Sequence, residues 1–275
     1  ANAGFDLFGG YQSLTNYVED PVVNLVICGL IVLGGLGFTV LTDIVETGSW
    51  RKLKLHTKLV LTTTVALIVG GATAIFFLEY SNPLTMGALS LKGKVLAGFF
   101  QSVTPRTAGF NTLNLSDLRS PTIFLMTFLM FIGGSPASTA GGIKTTTLAV
   151  ILLFVWSMIR GREETVVSYR RISREVIQKS FMVFTLFASG IMIVTFIICV
   201  LEDQNFLYIL FETTSAFATV GLSCGLTPGF SDGSKLALIF SMYAGRVGLI
   251  TVMFALLHND RQPKVSYPSG KVIVG

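Results

Sequence analysis

Charged side chains are scarce in this sequence. Only 13% of its 275 residues are Asp, Glu, Lys or Arg, against about 25% in ordinary soluble domains. Histidine is scarcer still: His56 and His258 are the only two, and neither stands in an H-E-x-x-H pattern. There is no G-x-S-x-G elbow, and Ser135 and Ser138 have no histidine at membrane depth to activate them. The chain therefore reads as a non-enzyme. Its three cysteines, Cys28, Cys199 and Cys224, offer neither a disulfide framework nor zinc spacing and read as small buried apolar residues. No initiator Met and no signal-peptide pattern opens the chain, and ANAGFDLFGG already reads as a loop. The expectation is that the sequence begins partway through a longer protein.

What fills the space left by charge is apolar: 51% hydrophobic residues and a mean hydropathy of +0.70. The class is an all-α integral membrane protein. Five stretches are long enough to cross a hydrocarbon core of ~20 helical residues: about 22–44, 57–79, 121–158 (interrupted), 176–201 and 235–257. Two shorter segments, 93–104 and 205–217, cannot span. They read as re-entrant half-helices, tolerated at membrane depth only beside protein or a wet cavity.

The cations are distributed asymmetrically. Arg51, Lys52, Lys54 and Lys58 lie between the first two spans; Arg160, Arg162, Arg170, Arg171, Arg174 and Lys179 lie between the third and fourth; Arg261, Lys264 and Lys271 follow the last. The other side carries mostly acids, among them Glu19, Glu79, Asp117 and Glu202. By the positive-inside rule the basic loops and the C-terminus are cytoplasmic, and the half-helices enter from outside. The mixed charges of REETVVSYRRISREV (162–176) suggest a solvated cytoplasmic helix.

One tetrapeptide occurs three times: Asn2-Ala3-Gly4-Phe5, Thr107-Ala108-Gly109-Phe110 and Thr219-Val220-Gly221-Leu222. The central glycines are about 110 residues apart, a period that marks structural repeats. Each copy precedes a polar loop and a spanning helix; the last two follow a span and a half-helix. The unit is helix, half-helix, extended loop, helix. A second echo in the closing helices places small residues at comparable depth: LGGLGFTVL, IGGSPASTAGGIKT and YAGRVGLITV.

This unit suits cation translocation. A bare cation leaves water only where oxygens replace its hydration shell, which backbone carbonyls aimed at an axis can do. Glycine allows backbone angles that a Cβ forbids, and a half-helix turns its negative end toward the path. Thr219-Val220-Gly221 matches the opening of the potassium-channel filter. At the period of about 110, roughly 170 residues (one repeat and the first part of the next) are expected to lie outside this chain.

The insert Gly133–Thr147, which holds Gly133-Gly134-Ser135-Pro136-Ala137-Ser138-Thr139-Ala140-Gly141-Gly142 and Lys144, breaks a span with about ten consecutive helix-poor residues. Lipid exposure would leave its backbone unsatisfied, so it must be buried or line a cavity. Arg246, midway along the last span, must face a partner or water; Glu212 is the main acid at membrane depth. The run Gly34-Gly35-Leu36-Gly37 reads as close helix packing.

TPRTAGFN (104–111), GGSPASTAGGIKT (133–145), AGR-V-G (244–248) and the ending YPSGKVIVG together resemble the Trk/Ktr/HKT superfamily of potassium transporters, and within it the membrane subunits of bacterial Ktr systems. The resemblance runs the whole length. It implies a pseudo-fourfold ring of helix–pore loop–helix repeats, with 1–49 ending the second, 50–161 the third and 162–275 the fourth with a C-terminal tail. It assigns Gly4, Gly109 and Gly221 as filter glycines near which K+ binds, residues 133–142 with Lys144 as an intramembrane gating loop, and Arg246 as an electrostatic barrier facing it. Lys144 would repel cations or anchor the loop, and Arg106 would brace the third filter loop from behind. It further implies a bacterial plasma membrane location, K+ as transported ion with Na+ as a candidate activator, a homodimer with C-terminal contacts, and a cytosolic nucleotide-binding regulatory ring of the KtrA type. The alternative transport class is a sodium-coupled alternating-access carrier, which the broken helix keeps open.

Overall fold

The computed structural model describes residue 4, residues 12–162 and residues 164–247. The described chain is helical almost throughout: α1 (Pro21–Leu36), α2 (Phe38–Thr47), α3 (Leu55–Glu79), α4 (Leu91–Val103), α5 (Ser120–Phe131), α6 (Thr145–Ile159), α7 (Arg174–Leu201), α8 (Phe206–Phe217) and α9 (Asp232–Val247), with a two-stranded hairpin, β1 (Val166–Val167) and β2 (Arg170–Arg171), between α6 and α7.

Local chemistry sets the starts of α1, α4, α7 and α8. Asp20 accepts from Val22 N and Val23 N with Pro21 at the first helical position, and Ser90, Ser173 and Asn205 cap α4, α7 and α8 in the same way. Each cap satisfies an otherwise orphaned N–H. Of the described helices, α3 and α7 are long and apolar enough to cross a membrane unaided. Their outward faces are apolar, with Val65, Val69 and Phe77 on α3 and Ile193, Phe196 and Val200 on α7 exposed, as a lipid solvent requires.

The expected first span, 22–44, is not one helix. It bends by 96° at Gly37, between α1 and α2. Gly37 adopts φ 88° and ψ 145°, a conformation essentially confined to glycine. The expected helix over 162–176 is found only at its end, where α7 begins at Arg174. Residues 166–171 fold instead as the β hairpin, Val166 opposite Arg171 and Val167 opposite Arg170, closed by Ser168 and Tyr169 at φ 48° and 62°. Two successive left-handed residues are the backbone of the tight turn that matches strand twist.

The same sequence of elements occurs twice: α3, half-helix α4, loop, α5–α6; then α7, half-helix α8, loop, α9. The half-helices are wedged among the longer helices. Ser102 Oγ on α4 donates to Ile68 O on α3 at 2.8 Å. On the other unit Thr195 and Thr213 hydroxyls meet at 2.7 Å, and Phe217 stands edge-on to Phe187 at 5.0 Å. Burying both half-helices leaves their C-terminal ends facing the interior, where the loops begin.

Candidate functional site

Two loops follow the half-helices with the same backbone. Thr107 and Gly109 have φ 64° and 85°; Thr219 and Gly221 have φ 55° and 93°, while Ala108 and Val220 between them stay at negative φ. A β-branched residue at positive φ is a genuine outlier. Its occurrence at the same place in both loops marks a conformation held by its surroundings. Alternating the sign of φ allows successive carbonyls, which would otherwise alternate, to turn toward a common side. The entry to the second loop is fixed by the half-helix: Thr219 N donates to Ala216 O at 3.1 Å and Val220 N to Ser215 O at 2.8 Å.

The structure brings the three recurring glycines together. A Cβ at Gly4 would fall on Ala108 O and within 2.6 Å of Gly109 C and Phe110 N; one at Gly109 would lie 2.7 Å from Val220 O and 3.5 Å from Gly221 Cα. The loops thus lie side by side in the order 4, 109, 221, with backbone against backbone. Phe110 is half-buried and Leu222 buried. Asn2, Ala3 and Phe5 lie outside the described residues. The hydroxyls of Thr107 and Thr219 are buried without a hydrogen-bond partner among the described residues. Such a group costs ~1–3 kcal/mol unless something else takes it up.

Beneath these loops lies the break between α5 and α6. The two glycine pairs allow backbone-to-backbone packing: Gly133 abuts Gly141 and Gly142, Ile132 bridges Ile143, and Thr145 N donates to Gly134 O at 3.0 Å. A Cβ on Gly141 would strike Ala218 O and Thr219 Oγ1, so this segment presses directly under the 219–222 loop. Ser135 and Thr145 hydroxyls meet at 2.9 Å, Ser138 Oγ donates to Ser135 O at 2.6 Å, and Ala137 has φ 57°. Lys144 Nζ donates to Ala140 O at 2.6 Å, tying the segment to itself. Arg246 Nη1 donates to Thr139 O at 2.9 Å. A cavity of about 330 Å³ opens beside the segment, bordered by Ser138, Lys144, Phe187, Gly245 and Arg246.

The break in α1 completes this arrangement. A helix leaves its last four carbonyls without intrahelical donors. Here Gly35 O accepts from Ser135 N at 2.9 Å and Gly34 O from Thr139 N at 3.4 Å, while Phe38 N donates to Ala137 O at 3.1 Å. The Gly34–Gly37 run, expected to pack helices, is instead where a helix ends against the 133–142 segment.

Other buried polar side chains hold the frame. Arg106, 3% exposed, donates through Nη2 to Thr64 Oγ1 at 3.3 Å, behind its loop. Glu79 gathers Asn82 and Thr85 at 2.7 Å, Arg119 N at 3.0 Å and the Thr122 hydroxyl. Glu212 accepts from Ser223, Cys224 N and Thr227. The ion pairs among the described residues are Lys54–Asp43 and Arg171–Glu164, so Glu212 and Arg246 do not pair. Near the loops outside the spans, hydrogen bonds from the Ser231 hydroxyl and N–H hold the Glu202 carboxyl below its ordinary range, and those from Ser90 do the same for Glu19. Sequence reasoning missed the partners of Glu79 and Glu212; the hydroxyl-rich stretches after each were the available signal.

Residues 1–265 match the family model described as TrkH, cation transport protein. Among curated proteins the chain is 44% identical over 274 residues to the Ktr system potassium uptake protein B of Bacillus subtilis, covering all of this chain and 61% of that protein. It is 38% identical to the protein of that name from Vibrio alginolyticus, covering all of this chain and 60% of that protein. It is 36% identical to the potassium/sodium uptake protein NtpJ of Enterococcus hirae, covering all of this chain and 61% of that protein. The chain thus spans about three fifths of the length of these relatives. Among solved structures, the potassium transporter TrkH from Vibrio parahaemolyticus superposes with a TM-score of 0.73 at 20% identity, over 90% of this chain and 54% of that one.

Proposed function

Because the chain belongs to the TrkH family of cation transport proteins, we propose that it is part of a potassium-translocating membrane subunit of a Ktr/Trk-type uptake system. The observation that carries this reading is the pair of Thr-x-Gly loops, each at the end of a buried half-helix and each with the same alternation of backbone φ, lying side by side with Gly4. Carbonyls turned to one side, together with the unpartnered Thr107 and Thr219 hydroxyls, supply the oxygens that replace a cation's water shell. The C-terminal ends of α4 and α8 add a negative field.

In this reading Asn2–Phe5, Thr107–Phe110 and Thr219–Leu222 contribute to a filter for K+. The segment 133–142 with Lys144 is a gate beneath it, held by Arg246 and by the broken end of α1. Two fixed cations beside the cavity under the filter raise the energy of a permeating cation while the gate is in place. Residues 1–49, 50–161 and 162–275 then correspond to parts of three successive pore repeats. The basic cytoplasmic loops serve as docking surfaces for a cytosolic nucleotide-binding ring, the subunit works as a homodimer in the plasma membrane with its C-terminus inside, and Na+ is a candidate activator.

The test is rubidium uptake by the full-length protein in cells lacking other uptake systems. Gly221→Ser places a side chain where φ is 93° and should lower potassium affinity and selectivity. Uptake and ion preference unchanged from wild type would remove Gly221 from any filter.

A further inference from the structure

Glu212 is the acid that the transport reading leaves without a task. It sits on α8, 3% exposed, and carries a carboxylate into the interior, where desolvation is costly unless donors surround it. The donors are there. Oε1 accepts from Ser223 Oγ at 2.7 Å and from Cys224 N at 2.8 Å, and Oε2 accepts from Thr227 Oγ1 at 2.7 Å. All three belong to the segment that leaves the Thr219–Leu222 loop. Three donors from one segment converge on this one buried side chain, so it fixes the whole departing arm.

The loop is therefore held at both ends from the same half-helix. Helix carbonyls hold its entry through Thr219 N and Val220 N, and Glu212 holds its exit at Ser223 and Cys224. The 107–110 loop is secured differently. Phe100 stands at the position matching Glu212 when Gly109 is aligned with Gly221. There the exit is held by the Thr104 hydroxyl on Phe110 O, and by Asn111, whose N–H donates to Ser13 Oγ at 3.1 Å and whose carbonyl accepts from Leu14 N at 3.0 Å. The first loop combines a clamp from Thr104 with support from a neighbouring segment; the second has its departing arm clamped by Glu212 of its own half-helix.

We infer that Glu212 is a positioning residue for ion selection: its carboxylate holds the Ser223–Thr227 arm so that the Val220 and Gly221 backbone keeps the spacing a dehydrated cation needs. This rests on the reading of Thr219–Leu222 as part of a filter. Glutamine would keep the shape but present one acceptor oxygen where two are used, and would turn an NH2 toward a donor.

The experiment uses the full-length protein in proteoliposomes and compares wild type, Glu212→Gln, the pair Ser223→Ala with Thr227→Val, and Gly221→Ser. Each is read as the KM for potassium, the maximal rate per inserted protein, and the potassium-to-sodium uptake ratio. Glu212→Gln and the double variant should each raise the KM about tenfold and lower the ratio, as expected for losing buried hydrogen bonds that place the loop. Maximal rate should stay near wild type. A purely structural role would reduce inserted protein and maximal rate while leaving the KM alone, and that pattern overturns the proposal. Unchanged KM and ratio in Glu212→Gln beside a shifted Gly221→Ser would overturn the clamp and leave the filter standing; no shift in either would remove the filter reading as well. Should Glu212→Gln fail to insert, the double variant, at exposed and half-buried positions, decides the matter on the same readouts.

Discussion

Replacing Gly37 by alanine tests whether the bent end of α1 holds the 133–142 segment in place. Gly37 has φ 88° and ψ 145°, which costs a side-chain-bearing residue ~1–3 kcal/mol. A Cβ there would also intrude on Pro136 O and lie 3.3 Å from Ala137 C and O. Two relaxations are open. The Pro136 peptide can retreat, or residue 37 can fall back to helical φ and straighten the bend. Either one loosens the bonds from Ser135 N to Gly35 O and from Phe38 N to Ala137 O, each worth ~0.5–1.5 kcal/mol. A net loss of about 2 kcal/mol changes the ratio of seated to displaced segment roughly thirtyfold, since 1.4 kcal/mol is a factor of ten. If the segment limits flux, maximal potassium uptake per inserted protein should rise several-fold at unchanged KM, because no residue of the Thr107–Phe110 and Thr219–Leu222 loops, proposed as the filter, is changed. Gly48→Ala is the control: it too sits at positive φ, 61°, but nothing lies within 4 Å of its Cβ, so its strain cannot reach the segment. Flux in Gly37→Ala no higher than in Gly48→Ala, with both properly inserted, would refute the latch.

Removing residues 134–141 from the full-length protein should raise potassium flux, and an inserted but inactive variant would count against a plug. Arg246→Gln deletes the donor to Thr139 O and one of two cations beside the cavity, so it should raise maximal rate by several-fold in the same uptake assay; a fall would reverse the assigned role. Glu19 and Glu202 are depressed in the folded state by hydrogen bonds from Ser90 and Ser231, so their contribution is present above the ordinary carboxylate value and is lost as pH falls through the depressed one. The gap in melting temperature between wild type and Glu19→Gln/Glu202→Gln should be constant from pH 7 to 5.5 and close below about pH 4; a gap that closes near neutrality would contradict the assignment.

Much of the fold and site could be read from residue types in order. Half-helices α4 and α8 were legible because an apolar run too short to span, followed by Thr-x-Gly, leaves few options in a membrane. The interruption expected over 133–147 was legible because Gly, Ser and Pro cannot sustain a helix wherever they lie; its last three residues, Thr145–Thr147, instead open α6. Positive φ at Gly109 and Gly221 follows the same local rule; positive φ at Thr107 and Thr219 does not, since it opposes their intrinsic preference. The hairpin at 166–171 escaped notice because its turn uses Ser168 and Tyr169, with neither Gly nor Asn to announce it.

The sequence by itself determined which segments are apolar, where α1, α4, α7 and α8 start under their own caps, and that one structural unit recurs, because these depend on residues close together along the chain. Tertiary structure alone decided that 22–44 bends at Gly37, that Gly4, Gly109 and Gly221 lie side by side, and that Glu212 serves Ser223, Cys224 and Thr227. A hydropathy run has the same composition whether it is straight or bent. The bend persists because Ser135 and Thr139, a hundred residues away, supply donors to the carbonyls it frees.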